Sequence, residues 1–321
     1  GGIKKTGSGL LHLGGNVGST FAIDHDGDPA TPPQPPTTLT DLFFIEEGIV
    51  RVDTTAGTAS GAPAINYKIG SNKVNTVVKN GAGLLGRNAS TNPIYGSIRL
   101  ENGSFLGTTE GDSVFGQATT DTNLLAQLEV PSGATATIYV RDYYYIYDSA
   151  RTITINSKLT GAGTIELVGP LRTNTIGVLR LGNNITGSTT GANDFSGTIV
   201  LNPNTRLLAQ ATATAKTGNE LGTATIVLNG GELYLRDNNS VTYGNNVVLQ
   251  GSSIINADRY DANSGNVITL GRLTVAEGEQ VLQTPWTTGI FTGANNSYRI
   301  AFTEIAGPGT LVKAGHQPLE I

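Results

Sequence analysis

Gly161-Ala162-Gly163-Thr164-Ile165-Glu166-Leu167 sets two glycines two positions apart ahead of an alternating apolar run. The phrase returns as Gly7-Ser8-Gly9-Leu10-Leu11-His12-Leu13, and the match widens to Lys4 with Lys158, Thr6 with Thr160 and Gly15 with Gly169. A third copy is Gly81-Ala82-Gly83-Leu84-Leu85, preceded by Lys79 much as Lys5 precedes Gly7. A fourth closes the chain. There Gly309-Thr310-Leu311-Val312-Lys313-Ala314-Gly315 mirrors Gly1-Gly2-Ile3-Lys4-Lys5-Thr6-Gly7, so that Leu319 and Ile321 fall where Leu11 and Leu13 do. Glycines at this spacing mark a corner that needs positive φ or close backbone approach before a strand begins. A corner that recurs in one chain predicts coils that each present it to a neighbour and stack in parallel.

Working outward, the same short strand signal fills the rest of the chain. Val178-Leu179-Arg180-Leu181, Thr198-Ile199-Val200-Leu201, Thr225-Ile226-Val227-Leu228, Glu232-Leu233-Tyr234-Leu235-Arg236, Asn246-Val247-Val248-Leu249 and Arg272-Leu273-Thr274-Val275 carry β-branched or Leu residues at period two and stop at Gly, Asn or Pro. The best helical stretch, residues 209–221, has no clean 3.6-residue stripe. Asn80-Gly81, Asn102-Gly103 and Asn229-Gly230 could turn hairpins, but only the last lies between two clean strands. The expected fold is therefore all-β: a single right-handed parallel β-helix over 1–321 with loop insertions. A Pro-rich acidic loop is expected over 24–41 and an aromatic strand segment over 137–150. About a dozen coils rising about 4.8 Å each would make a rod about 60 Å long.

Composition narrows the chemistry. Among 321 residues there are 20 Lys+Arg against 25 Asp+Glu, a net charge of −5, and only 14% charged residues. No basic run offers a nucleic-acid surface, and no apolar run reaches the roughly 18 residues of a membrane span, so neither nucleic acid nor membrane insertion of this segment is expected. With 0 Cys, disulfides, thiolate metal sites and cysteine nucleophiles are excluded. The 43 glycines, with abundant Thr and Asn, fit bacterial secreted and surface proteins. The chain opens on Gly1 without a charged and apolar leader, which reads as a mature or excised part of something longer.

The phrase Lys5-Thr6-Gly7-Ser8-Gly9-Leu10-Leu11-His12-Leu13-Gly14-Gly15-Asn16 resembles the opening of the autotransporter-associated (passenger-associated) β-strand repeat. Residues 193–201 resemble the middle of that repeat and residues 220–235 its end. The resemblance covers 1–20, 158–236 and 303–321. It implies a right-handed parallel β-helix in a large bacterial secreted or surface protein, and it brings no catalytic residues. The Pro-rich insertion Asp28–Pro36 and the aromatic block Tyr143–Tyr147 depart from the pattern, and no C-terminal translocator barrel follows.

Several groups carry candidate chemistry. Asp24, Asp26 and Asp28 stand at i, i+2 and i+4, a spacing that can converge hard oxygens on calcium. Pro29 and Pro35 occupy the positions where an EF-hand needs Gly and Glu, leaving a looser calcium loop or a solvated acidic turn. Tyr143, Tyr145 and Tyr147 alternate onto one strand face, either as an outward platform for glycans or a partner or as inward packing. Asp258, Arg259 and Asp261 form the most polar cluster outside the first loop, with a solvated loop surface as the simpler reading. His12 sits opposite Leu11 and Leu13 and reads as a surface residue. The stretch 15–20 lacks the lysine of a phosphate loop.

The leading expectation is a non-enzymatic structural segment of an extracellular fibre, surface layer or adhesin stalk on the bacterial cell surface. Its partner is itself, head to tail, with Ile3, Leu11, Leu13, Leu311, Leu319 and Ile321 at the assembling ends, because unpaired strand edges invite pairing. Two alternatives stay open: a glycan-binding adhesin module that meets host surfaces through the aromatic strand, and a polysaccharide lyase or hydrolase. No cofactor is expected apart from calcium.

Overall fold

The structure is a computed structural model. It describes residues 3–13, 42–53, 75–87, 94–95, 97–117, 127–144, 148–172, 174–182, 193–210, 218–259, 265–285 and 298–321. These residues form a parallel β-helix with three sheets and no helix. In the stretch 209–221, Ala209 and Gln210 end the strand Thr205–Gln210, while residues 218–221 are bend and turn.

Strands follow one another in the order first, second, third sheet, although among the described residues the third sheet has no strand before Ile94–Tyr95 and the first none after Lys158–Gly161. The first sheet holds Ile3–Lys5, Leu42–Ile45, Asn75–Val78, Ile98–Leu100, Gln127–Val130 and Lys158–Gly161. The second sheet, of 13 strands, runs from Leu10–Leu13 and Ile49–Asp53 through Thr135–Asp142, Thr164–Val168 and Thr198–Leu201 to Arg299–Ala306 and Leu319–Glu320. The third, of 9 strands, runs from Ile94–Tyr95 through Thr205–Gln210 and Glu232–Arg236 to Thr310–Ala314. Every strand-to-strand pairing in the three sheets is parallel, so Asn229-Gly230 makes a coil corner and not a hairpin.

The alternation read in the sequence becomes columns along the rod. In the second sheet Leu11, Val50, Leu84, Leu106, Ile138, Leu167, Leu201, Leu228, Leu249 and Val275 stack in register. All but Leu11 are buried. Ile153, Leu179, Leu207, Leu233 and Ile255 make the matching column in the third sheet. Burying a Leu or Ile side chain stabilises by roughly 1.5–3 kcal/mol, and the columns repeat that gain coil after coil. Because each coil packs only on its neighbours, connections can change length without disturbing the columns. Leu84 meets Leu106 after a short coil, whereas Leu11 meets Val50 after a long one.

The glycine phrase makes the corner between first and second sheets in three of its four copies. Its first glycine is left-handed in all four, with φ of 80° at Gly7, 73° at Gly81, 100° at Gly161 and 85° at Gly315. The second glycine serves a different need. Gly83 and Gly163 lack positive φ, but a Cβ on Gly163 would lie 2.6 Å from the Ala134 carbonyl oxygen, and one on Gly83 would overlap the Phe105 ring. Asparagines stitch the coils at these turns. Asn193 accepts from the Leu159 amide and donates to the Glu220 carbonyl, while Asn245 donates to the carbonyls of Gly222 and Ala224.

Towards the C-terminus the first and second sheets fuse. Val267–Val275 stacks its first half on Val241–Thr242 and its second half on Val247–Leu249, and Arg299–Ala306 stacks on both halves. Leu319 pairs with Ile300, which pairs with Ile268 and so with Val241. Leu319 thus occupies the first-sheet position of its coil, whereas Leu11 lies in the second sheet. The fourth phrase therefore turns the corner from third sheet to first. Sequence similarity sets Leu319 where Leu11 falls, and the coil geometry corrects that.

Candidate functional site

The open coil edges are the first candidate. Ile3–Lys5 and Leu10–Leu13 are outermost at one end, and Thr310–Ala314 and Leu319–Glu320 at the other, with no further strand beyond either among the described residues. Apolar side chains reach solvent there: Leu10 is 47% exposed and Ile321 84%. Leu11, Leu311 and Leu319 are half-buried against the core. Leu13 is placed in its strand and pairs with Val52, and Ile3 pairs with Phe43. A lysine caps the phrase at each end. The Lys5 ammonium donates to the Gly7 carbonyl at 2.5 Å and the Lys313 ammonium to the Gly315 carbonyl at 2.6 Å. Beside Ile3, exposed Lys4 pairs with Glu46 at 2.6 Å, and beside Leu319, Glu320 pairs with Arg299 at 2.7 Å.

The aromatic segment is the second candidate. Its strand is Thr135–Asp142 and ends there: Tyr143 and Tyr144 form a bend, the Asp142 amide donates to Ser149, and Arg141 bridges antiparallel to Ala150. Tyr143 lies on the outer face, stacked on Phe105 with centroids 4.9 Å apart and edge-on to Tyr139 and Tyr144. These rings cover one another, and Tyr144, 44% exposed, is the most open. Burial pushes the hydroxyl pKa of both Tyr143 and Tyr144 up. Tyr145 and Tyr147 lie outside the described residues, as do Asp24, Asp26, Asp28, His25 and Asp261.

The outer face of the third sheet carries a polar ladder that single-sequence reading did not assemble. Register sets Arg206 beside Glu232, Tyr234 beside Asn256 and Arg236 beside Asp258. Arg206 holds Glu232 through Nε at 2.9 Å and a terminal nitrogen at 2.7 Å, and Asn256 donates to the other Glu232 oxygen. The Tyr234 hydroxyl donates to Asp258 at 2.8 Å, and both guanidinium groups flank the Tyr234 ring. Burial, reinforced by the Asp258 carboxylate, pushes the Tyr234 hydroxyl pKa well up. Asp258 is buried and engaged by Tyr234 and the Arg259 amide, so it belongs to this ladder and not to a solvated surface. No local sequence pattern joins Glu232, Asn256 and Arg206, because what brings them together is coil register.

A further polar group lies where the third sheet hands over to the first. Glu220 and Asp237 are buried carboxyls, and buried Tyr243 stands between coils with them. Burial, with the Asp237 charge adding to it, pushes the Glu220 carboxyl up to about 7. Among the described residues no group of three or more His, Asp or Glu gathers as a metal cluster.

Neither the family models, nor the curated proteins, nor the solved structures compared with the chain give a match.

Proposed function

We propose that this chain is a structural β-solenoid segment of a bacterial extracellular fibre, surface layer or adhesin stalk, whose copies stack end to end. The observation that carries the reading is the pair of edges beyond which no strand lies among the described residues, because strand edges with half-buried apolar side chains are templates for another coil. The aligned columns support it: a second copy extends the column of Val241, Ile268, Ile300 and Leu319 if its Ile3 settles over Leu319. In that register Lys4 lies over Glu320, placing opposite charges on one outer face. The contact is heterologous, so it propagates into a filament unless its rotation closes a ring. It joins separate subunits or modules of one longer chain. Resemblance to the autotransporter-associated repeat supports the surface location. Sedimentation velocity over a range of protein concentration tests the reading: stacking gives a series of growing species that high salt does not abolish, since apolar and backbone pairing hold the contact. A single monomeric boundary at every concentration counts against it.

Glycan binding is a second reading, favoured by the outward ring cluster of Phe105, Tyr139, Tyr143 and Tyr144 beside Arg141. A glycan array whose hits disappear with Tyr144→Ala supports it, and an array without hits removes it.

A further inference from the structure

Glu220, Asp237 and Tyr243 set three oxygen atoms in the interior with no partner outside their own group: Glu220 Oε2, Asp237 Oδ2 and the Tyr243 hydroxyl. All three residues are more than nine-tenths buried. Their positions follow from the coil path. Gly218 and Glu220 lie in the first-sheet position of one coil, and a Cβ on Gly218 would come 3.0 Å from the Thr242 carbonyl of the next. Asp237 follows the third-sheet strand Glu232–Arg236 that closes the first of these coils, and Tyr243 follows the short strand Val241–Thr242 that opens the next. The fold thus brings two carboxyls and a phenol to one corner from two successive coils.

The remaining atoms of these residues are engaged, which fixes the direction of the free ones. Asp237 Oδ1 accepts from the Asn239 amide at 2.8 Å and from its side chain at 3.2 Å, leaving Oδ2. Tyr298, fully buried, donates to the Asp237 carbonyl at 2.5 Å and accepts from Asn266 at 3.0 Å, which pins that turn. Tyr243 faces the Glu220 and Asp237 carboxyls, its hydroxyl turned toward the Glu220 carboxyl. Among the described residues no Lys, Arg or His acts on Glu220 or Tyr243. Buried carboxylates are held by paired cations or by metal ions, and unpaired ones are costly.

We propose that Glu220 Oε2, Asp237 Oδ2 and the Tyr243 hydroxyl bind a calcium ion that clamps two successive coils at this corner. Hard oxygens suit calcium, whose 6–8 ligands include backbone carbonyls and water beside carboxylates. The site goes beyond the stacking reading and does not depend on it.

Calcium titration of the purified chain by calorimetry, with terbium luminescence excited through tyrosine as the second readout, tests the site. The expected result is one saturable site with Kd of about 10⁻⁵–10⁻³ M, in the range of sensor and extracellular calcium sites. Glu220→Gln and Asp237→Asn each weaken it at least tenfold. Tyr243→Phe, which keeps the ring packing, lowers the affinity and the terbium signal. Asp26→Asn, in the acidic loop, leaves both readouts unchanged. Melting gives a check that mere damage to the fold cannot mimic: in EGTA, Glu220→Gln melts above the parent, and in calcium below it. Three results overturn the proposal: no binding to the folded parent, binding abolished by Asp26→Asn alone, or Glu220→Gln melting below the parent in EGTA as well.

Discussion

Gly161 approaches Val130 so closely that a Cβ on the glycine would overlap the Val130 carbonyl oxygen, one coil away. Its φ of 100° would strain any other residue as well. Gly163, two residues on, has no such φ, but Pro131 and Ala134 carbonyls crowd its Cβ position. Gly161→Val and Gly163→Val should therefore each lower stability by about 1–3 kcal/mol, for different reasons. Gly161→Ala should still cost stability, whereas Gly7→Ala, where nothing lies within 4 Å, should cost only its φ. Urea unfolding with unchanged m-values checks the series; wild-type midpoints for both valine variants would remove the corner as a constraint.

Much of the fold was legible because side-chain period and corner chemistry are local. Ile165 and Leu167 alternate inward and Glu166 outward, and that pattern alone specifies a half-buried strand. The glycine phrase added the corner. Coil register was not legible, since connections vary in length and only packing decides that Leu167 meets Leu201. For that reason the Arg206–Glu232–Asn256 ladder and the Glu220–Asp237–Tyr243 corner stayed invisible. Leu319 differs from Leu11 in sheet position for the same cause: its local phrase matches that of Leu11, but the preceding strand Thr310–Ala314 belongs to the third sheet. Tyr143–Tyr147 read as one alternating strand, and the Asp142–Ser149 hydrogen bond ends that strand at Asp142.

Glu232 is buried and held by Arg206 and Asn256, so removing it strands a guanidinium against the Tyr234 ring. Glu232→Ala should cost about 3–5 kcal/mol, as for other broken buried pairs. Replacing both Arg206 and Glu232 by Leu should recover most of that loss. A double-mutant cycle by chemical denaturation decides it: additive losses would mean that the pair contributes no coupling.

Asp148 gives the acid limb of stability. Burial opposes its ionised form, but the Arg141 guanidinium at 2.9 Å and the Leu171 amide outweigh it and hold the carboxyl below its ordinary 3.8. A lowered carboxyl stabilises the fold above its unfolded pKa, and that stability is lost as pH falls through the lower folded value. The parent should thus lose stability below about pH 4, and Asp148→Asn should be weaker at neutral pH with a flatter acid limb. Melting curves from pH 7 down to about pH 2.5 check this; parallel curves for parent and variant would count against it.

Stacking predicts charge dependence at the ends. With Lys4 over Glu320, Lys4→Glu should weaken self-association, and Lys4→Glu combined with Glu320→Lys should restore it. Association rates at low salt should follow the same order, because opposite charges steer encounter.

The chain's lack of cysteine makes the central claim directly testable by cross-linking. Lys4→Cys and Glu320→Cys, combined in one chain, place single thiols at opposite ends of the rod. Paired neighbouring strands bring such positions to the 4.4–6.8 Å Cα separation that a disulfide needs. Mild oxidation of concentrated protein should give a ladder of covalent dimers, trimers and longer multimers on a non-reducing gel, collapsing on reduction. The single-cysteine variants should stay free of ladders. A double variant that oxidises without forming multimers, or that multimerises no more than the single variants, would contradict end-to-end stacking in this register.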